Sequence, residues 1–124
     1  MFSLTQGLRR AFQTKPNGIA THFAGRRFTW KETLDRVSRV AGALSALHVQ
    51  RGDRIAILAL NSDRYFELMY AIPWIGAVMV PLNTRLAPKE IEYILTDAGV
   101  TVLFVDTAMS SHLAALEHSM PGVR

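Results

Sequence analysis

Cysteine is absent from all 124 residues, which excludes a disulfide, a thiolate nucleophile and a Cys-ligated zinc, and suits a reducing compartment. Apolar runs are short. The longest uncharged stretch, Leu68 to Thr84, contains Pro73, Gly76 and Pro81 and falls below the ~20 apolar residues a membrane span requires. A buried helix followed by a buried strand is the expected reading. Met1 to Arg10 carries its charges after the apolar residues, the reverse of a secretory leader, so no signal peptide is expected.

Several catalytic signatures are missing too. The eight glycines form neither G-x-G-x-x-G nor G-x-x-x-x-G-K, so no glycine loop that would cradle a phosphate is expected. The serines do not occur in G-x-S-x-G, and spacing supports no Ser-His-Asp arrangement. His22, His48, His112 and His118 lack both i, i+4 spacing and a carboxylate placed as a third metal ligand. His48 reads as a helix-end residue and the other three as surface residues.

What is present describes a globular α/β protein. A hydrophobic content of 49% suffices for one domain with a core, and no repeat or polar linker divides the chain. Residues 1–40 hold eight Lys/Arg against Glu32 and Asp35, whereas residues 41–124 hold six against eight acids. The arginines of the first third, Arg9, Arg10, Arg26, Arg27, Arg36 and Arg39, read as a solvated basic face. No aromatic-basic interleaving accompanies them, so nucleic acid is not expected as a partner.

Thr5 to Thr14 has helical spacing through Leu4, Leu8, Ala11 and Phe12, closed by Pro16-Asn17-Gly18. Ile19, Thr21 and Phe23 alternate, Gly25 marks a tight connection, and Phe28 and Trp30 resume the alternation, which predicts a β-hairpin. Thr29-Trp30-Lys31-Glu32 matches a capping box and opens a helix along Leu34, Val37, Ala41, Leu44 and His48. Ile55 to Leu60 is unbroken apolar, as in a parallel strand covered on both faces. Asn61-Ser62-Asp63 offers capping oxygens to a helix carrying Phe66, Met69, Tyr70 and Trp74, with Pro73 in its last turn and Gly76 after it. Ala77 to Leu82 reads as a strand, Pro88 to Ala98 as a helix stopped by Gly99, Thr101 to Val105 as a strand and Asp106 to His118 as a helix. Strands joined this way must pair in parallel. The expected architecture is part of a doubly wound, mainly parallel α/β sheet, preceded by a helix, a small β-hairpin and a long helix.

Few positions suggest chemistry. Asn61-Ser62 follows the first parallel strand, where a ligand anion can meet a helix N-terminus, though ordinary capping explains it. Asp53 reads as turn chemistry and Asp106 as a helix cap. Tyr65, Phe66, Met69, Tyr70 and Trp74 could line an apolar pocket, but core packing is the expected use.

Five groups of residues in this order resemble the N-terminal segment of the adenylate-forming (AMP-binding) enzymes: Phe28-Thr29-Trp30-Lys31-Glu32; Gly52-Asp53-Arg54-Ile55-Ala56-Ile57; Asn61-Ser62; Gly76 through Asn83; and Arg85-Leu86 before Glu90 to Leu95. The resemblance spans about residues 4–118, and Tyr65-Phe66-Glu67 with Ile72 to Val78 is most similar to the fatty-acyl-CoA synthetase branch. Leu60 stands where proline is frequent, His48 where glycine is usual, and Ala87 where a hydroxyl cap commonly precedes Pro88.

The resemblance implies a parent acid-thiol ligase that adenylates a carboxylate, fatty by class, with ATP and Mg2+, then transfers the acyl group to coenzyme A. It implies also that residues 1–124 are an incomplete N-terminal part of the N-terminal domain, with no second domain. The expected phosphate loop, nucleotide-binding aspartate, hinge arginine and C-terminal lysine would all follow residue 124. No catalytic, cofactor-binding or metal residue is therefore expected in this chain, nor a bound cofactor, nor a reading of acyl chain length. The alternative is a non-catalytic interaction or assembly module on the same scaffold. An open sheet edge predicts self-association, and the cytoplasm, with peripheral membrane contact compatible, is the expected location.

Overall fold

The computed structural model describes residues 4–120 and 122–124. The leader expectation at Met1 to Ser3 and the position of Pro121 lie outside the described residues. Two compact units are interleaved along the chain, residues 1–51 with 61–76, and residues 52–60 with 77–124.

The first unit is helical with a hairpin. Helix α1 (Thr5–Thr14) buries Leu8. Strands β1 (Ile19–Phe23) and β2 (Arg26–Thr29) pair antiparallel, with Phe23 opposite Arg26. Ala24 and Gly25 between them both have positive φ, 52° and 77°, as a two-residue type I′ turn requires. Helix α2 (Trp30–Ala46) starts at the expected capping box: Glu32 N–H donates to Thr29 Oγ1 at 3.1 Å, and Thr29 N–H to Glu32 Oε1 at 3.1 Å. It buries Thr33, Val37, Ala41 and Leu44. At its end His48 N–H donates to the Ser45 carbonyl and Val49 N–H to that of Leu44. This is a Schellman closure, and it puts His48 at φ 63°, the left-handed position usually held by glycine. Helix α3 (Asp63–Trp74) is capped by Ser62, whose Oγ accepts from Tyr65 N–H at 3.1 Å. It stops one residue after Pro73, and Gly76 follows at φ 78°.

The second unit is the parallel sheet. β3 (Arg54–Leu58) lies between β4 (Val78–Pro81) and β5 (Val100–Val105), in the order β4-β3-β5. Growth of the sheet thus reverses direction after β4, the strand-order mark of a doubly wound sheet. Ile55 to Leu58 are all buried, and this explains the unbroken apolar run. Ala56 and Leu58 belong to one core with Leu82, Ile91, Leu95, Val100, Met109 and Leu116. Helix α4 (Pro88–Ala98) contributes Ile91 and Leu95 to it and ends at Gly99, φ 65°. The Arg54 guanidinium lies over that end, its Nε donating to the Ala98 carbonyl at 2.7 Å.

Two expectations shift. β3 ends at Leu58, because Leu60 N–H turns aside to donate to Asp106 Oδ2 at 2.8 Å. The stretch expected as one helix is a 3-10 turn, Thr107–His112, followed by α5 (Leu113–Ser119). Thr107, Ser110 and Ser111 are weak α-formers, and the tighter spiral suits a short connector.

Candidate functional site

In the helical unit, side-chain chemistry concentrates where the hairpin and α2 meet α3. The residues of α3 buried most deeply are Asp63, Glu67, Ala71 and Ile72, with Asp63 2% and Glu67 4% exposed. Spacing of four puts the two carboxylates on one helical face. Arg26 approaches Asp63 in a fork, Nε to Oδ2 at 3.0 Å and Nη2 to Oδ1 at 2.9 Å. Arg36 makes a second fork on the Glu67 carboxylate. Such bidentate pairing offsets the cost of removing carboxylates from water. The Arg26 hydrogen bonds hold the Asp63 carboxyl below the usual aspartate range, against the opposing effect of burial. Each guanidinium also faces an aromatic ring, Arg36 over Phe28 at 4.2 Å and Arg26 over Phe23 at 5.9 Å.

This arrangement corrects two expectations. Arg26 and Arg36 are not part of a freely solvated face, and the apolar stripe of α3 is not its most buried side. Met69 is 43% exposed, and Tyr65, Phe66, Tyr70 and Trp74 are half-buried. Phe66 and Tyr70 meet edge to face at 5.1 Å, and Arg9 covers Trp74 at 4.5 Å. The signal available in the sequence was Asp63 and Glu67 at i, i+4 in a helix whose only other charged residue is Arg64.

An open cleft of about 330 Å³ lies beside the α3 N-terminus, lined by Thr21, His22, Phe23, Asn61, Ser62, Asp63 and Phe66. Two of its polar side chains, Ser62 and Asp63, are engaged, whereas Thr21 Oγ1 is buried without a hydrogen-bond partner. Ser62 caps Tyr65, and Asp63 accepts from Arg26 and from Arg64 N–H. Ser62 thus acts as the helix cap expected at this corner.

In the sheet unit, Asp106 lies at the C-terminal end of β5. Its Oδ1 accepts from Met109 N–H at 3.0 Å and its Oδ2 from Leu60 N–H at 2.8 Å. The cap expectation holds, with the second bond added. Asp53 begins β3's approach, its carbonyl accepting from Val78 N–H at 2.8 Å. His22, His48, His112 and His118 are not brought together, and among the described residues no group of three or more His, Asp or Glu side chains could hold a metal ion. Asp63 and Glu67 face arginines and Asp106 is committed to two amides, so none of these three carboxylates is free to hold Mg2+.

Parallel strands, capped helices and engaged carboxylates define an α/β scaffold segment of the doubly wound type. The chain belongs to the AMP-binding enzyme family, which it matches over residues 8–123. It is 41% identical over 99 residues to a peroxisomal butyrate–CoA ligase of Arabidopsis thaliana, covering 80% of this chain and 17% of that protein. To a long-chain-fatty-acid–CoA ligase of Thermus thermophilus it is 40% identical over 98 residues, 79% of this chain and 18% of the other. A solved fatty acyl CoA synthetase of Mycobacterium tuberculosis superposes with a TM-score of 0.92 at 30% identity, over 98% of this chain and 25% of that one. The chain thus spans about a fifth of the length of the curated relatives it matches. Among the described residues no helix is long and apolar enough to cross a membrane.

Proposed function

We propose that this chain is the N-terminal scaffold of an ATP-dependent acid-thiol ligase that converts a carboxylic acid, fatty by class, to its coenzyme A thioester. A carboxylate oxygen attacks the α-phosphorus of ATP and pyrophosphate leaves; the thiol of coenzyme A then displaces AMP from the acyl carbon. Residues 1–124 form an incomplete part of the N-terminal domain on this reading. ATP, Mg2+ and the acid are bound by residues beyond Arg124, and the 124-residue chain alone is inactive. The cytoplasm, with peripheral membrane contact compatible, is its proposed location.

The observation that carries the proposal is the family match over residues 8–123, joined to a fold in which Asp63, Glu67 and Asp106 are committed internally. A fatty substrate is supported by the long-chain ligase among the relatives, and the butyrate ligase keeps shorter acids within the class tested. The test is ATP–pyrophosphate exchange with acetate, butyrate, palmitate and benzoate. The chain alone should give none, and measurable exchange would overturn the assignment of chemistry to later residues. A coding frame that runs on into a Ser/Thr/Gly-rich loop ending in Pro-Lys supports a ligase over a non-catalytic module; a stop at Arg124 removes that support.

A further inference from the structure

The connection from α1 to β1 is a backbone cap for the start of α2. Gly18 N–H donates to the Lys15 carbonyl at 3.0 Å and closes a turn. The carbonyls on either side of Asn17 both accept from α2: Lys31 N–H donates to that of Pro16 and Trp30 N–H to that of Gly18, each at 2.9 Å. Trp30 and Lys31 open the helix, where N–H groups have no partner within it. Close packing keeps residue 18 small, since a β-carbon there would lie 3.3 Å from Lys15 Cβ and 3.5 Å from Trp30 Cδ1. Asn17 itself is exposed, and among the described residues its carboxamide has no hydrogen-bond partner. The other two asparagines differ. Asn83 Oδ1 accepts from Arg85 N–H at 2.9 Å and precedes the β-branched Thr84, and Asn61 precedes Ser62.

We propose that Asn17 is a site of spontaneous deamidation, and that its isoaspartate product unfastens the start of α2. The Gly18 backbone nitrogen gives up its proton to hydroxide and attacks the Asn17 carboxamide carbon. The bond from that carbon to the amide nitrogen breaks, and ammonia leaves with a proton taken from water. A cyclic succinimide remains, which water opens at either carbonyl. Breaking the ring bond from nitrogen to the side-chain carbon gives aspartate on an unchanged backbone. Breaking the bond to the main-chain carbon gives isoaspartate, whose backbone runs through the side chain and is one methylene longer. Every atom comes from the chain or from water. Glycine at 18 leaves the attack unhindered, and the unpartnered carboxamide is free to rotate toward it. The bond from Gly18 N–H to Lys15 must open first, which slows the reaction about fivefold. Pro16 and Gly18 are spaced to meet consecutive N–H groups of α2, and the added methylene breaks that match. Aspartate keeps the match and brings a negative charge to the turn that holds the helix N-terminus, where the dipole favours it. The proposal is independent of the ligase reading.

The test is to hold the 124-residue chain at mildly alkaline pH in heavy-oxygen water, folded and in urea, and to follow its tryptic peptides by mass spectrometry. Pro16 blocks cleavage after Lys15, so the peptide Ala11 to Arg26 carries Asn17 as its only asparagine. That peptide should gain heavy oxygen ahead of those holding Asn61 and Asn83, and should resolve into aspartate and isoaspartate forms. Conversion in the folded chain should be about fivefold slower than in urea, and Asn17→Gln should abolish it. Amide hydrogen exchange on the two aged forms, separated by chromatography, gives the consequence. The Trp30 and Lys31 amides should exchange at least about fivefold faster in the isoaspartate form and at the original rate in the aspartate form. An Asn17 that stays intact in the folded chain, or that converts after Asn61 or Asn83, would overturn the proposal. So would an isoaspartate form in which both amides keep their protection.

Discussion

Replacing Gly99 by alanine tests the junction between α4 and β5. Gly99 has φ 65°, a conformation that costs an L-residue about 1 kcal/mol or somewhat more. A β-carbon there would stand 2.6 Å from Arg54 Nη2, closer than non-bonded atoms approach, so the guanidinium must swing away. Doing so breaks the 2.7 Å bond from Nε to the Ala98 carbonyl, a loss of about 1 kcal/mol at a surface site. Reduced freedom of the unfolded chain returns roughly 0.5 kcal/mol. Gly99→Ala should therefore destabilise by about 1.5–2 kcal/mol.

The decisive measurement is a double-mutant cycle with Arg54→Met, which keeps the stem and removes the donors. The Arg54→Met change alone should cost about 1 kcal/mol. With the guanidinium already absent the added methyl displaces nothing, so the double variant should be less destabilised than the sum by roughly 1 kcal/mol. Urea unfolding followed by far-UV circular dichroism reads all four stabilities. Additivity within about 0.3 kcal/mol would mean that the methyl and the guanidinium do not compete for space, and the contact argument would fail.

Three further outcomes are expected. Asp63 has a folded carboxyl pKa held low by Arg26, so its charge stabilises the fold above the unfolded value of ~3.9 and that contribution is lost as pH falls through the lower folded value. The stability gap between wild type and Asp63→Asn should therefore be steady near neutrality and shrink below about pH 4; urea midpoints measured against pH that hold a constant gap into acid would contradict it. His48→Gly should gain about 0.5–1 kcal/mol by relieving the left-handed strain at 63°, raising Tm by roughly 2–4 °C. In α4 the Glu90 carboxylate already accepts from Ala87 N–H at 3.2 Å while Ala87 offers no hydroxyl in return. Ala87→Ser completes the capping box and should add about 1 kcal/mol in thermal or urea unfolding.

Elements whose signals lie within a few residues were legible in the sequence. The capping box at Thr29 and Glu32, the Ala24-Gly25 connection, and α4 between Pro88 and Gly99 need no distant partner to be read. The unbroken apolar run of β3 reported burial on both faces for the same reason. What escaped depends on contacts across long stretches of chain. Arg26 and Asp63 are 37 residues apart and Arg36 and Glu67 are 31 apart, and no local pattern tells a guanidinium which carboxylate it will meet. Once those pairs form, the carboxylate side of α3 can be buried and Met69 left exposed, the reverse of what hydrophobic spacing alone predicts. The site was least legible: Ser62 and Asp106 cap helices as expected, whereas the Arg26–Asp63 and Arg36–Glu67 pairings had no local signal.

Asp106 occupies two backbone donors at the reversal point of the sheet unit. Open parallel sheets bind ligands beyond strand C-termini where growth changes direction, using free backbone N–H groups. Between β3 and β5, two such donors, Leu60 N–H and Met109 N–H, are both taken by one carboxylate of the chain itself. A phosphate approaching there would have to displace that carboxylate and would meet its negative charge. Leu60, in a position where the AMP-binding family often has proline, matters because proline has no N–H and could not donate to Asp106. The same departure that shortens β3 thus supplies half of the clamp, tying the end of β3 to the turn after β5. Residues 52–60 and 77–124 are in this way organised to hold strand ends in register.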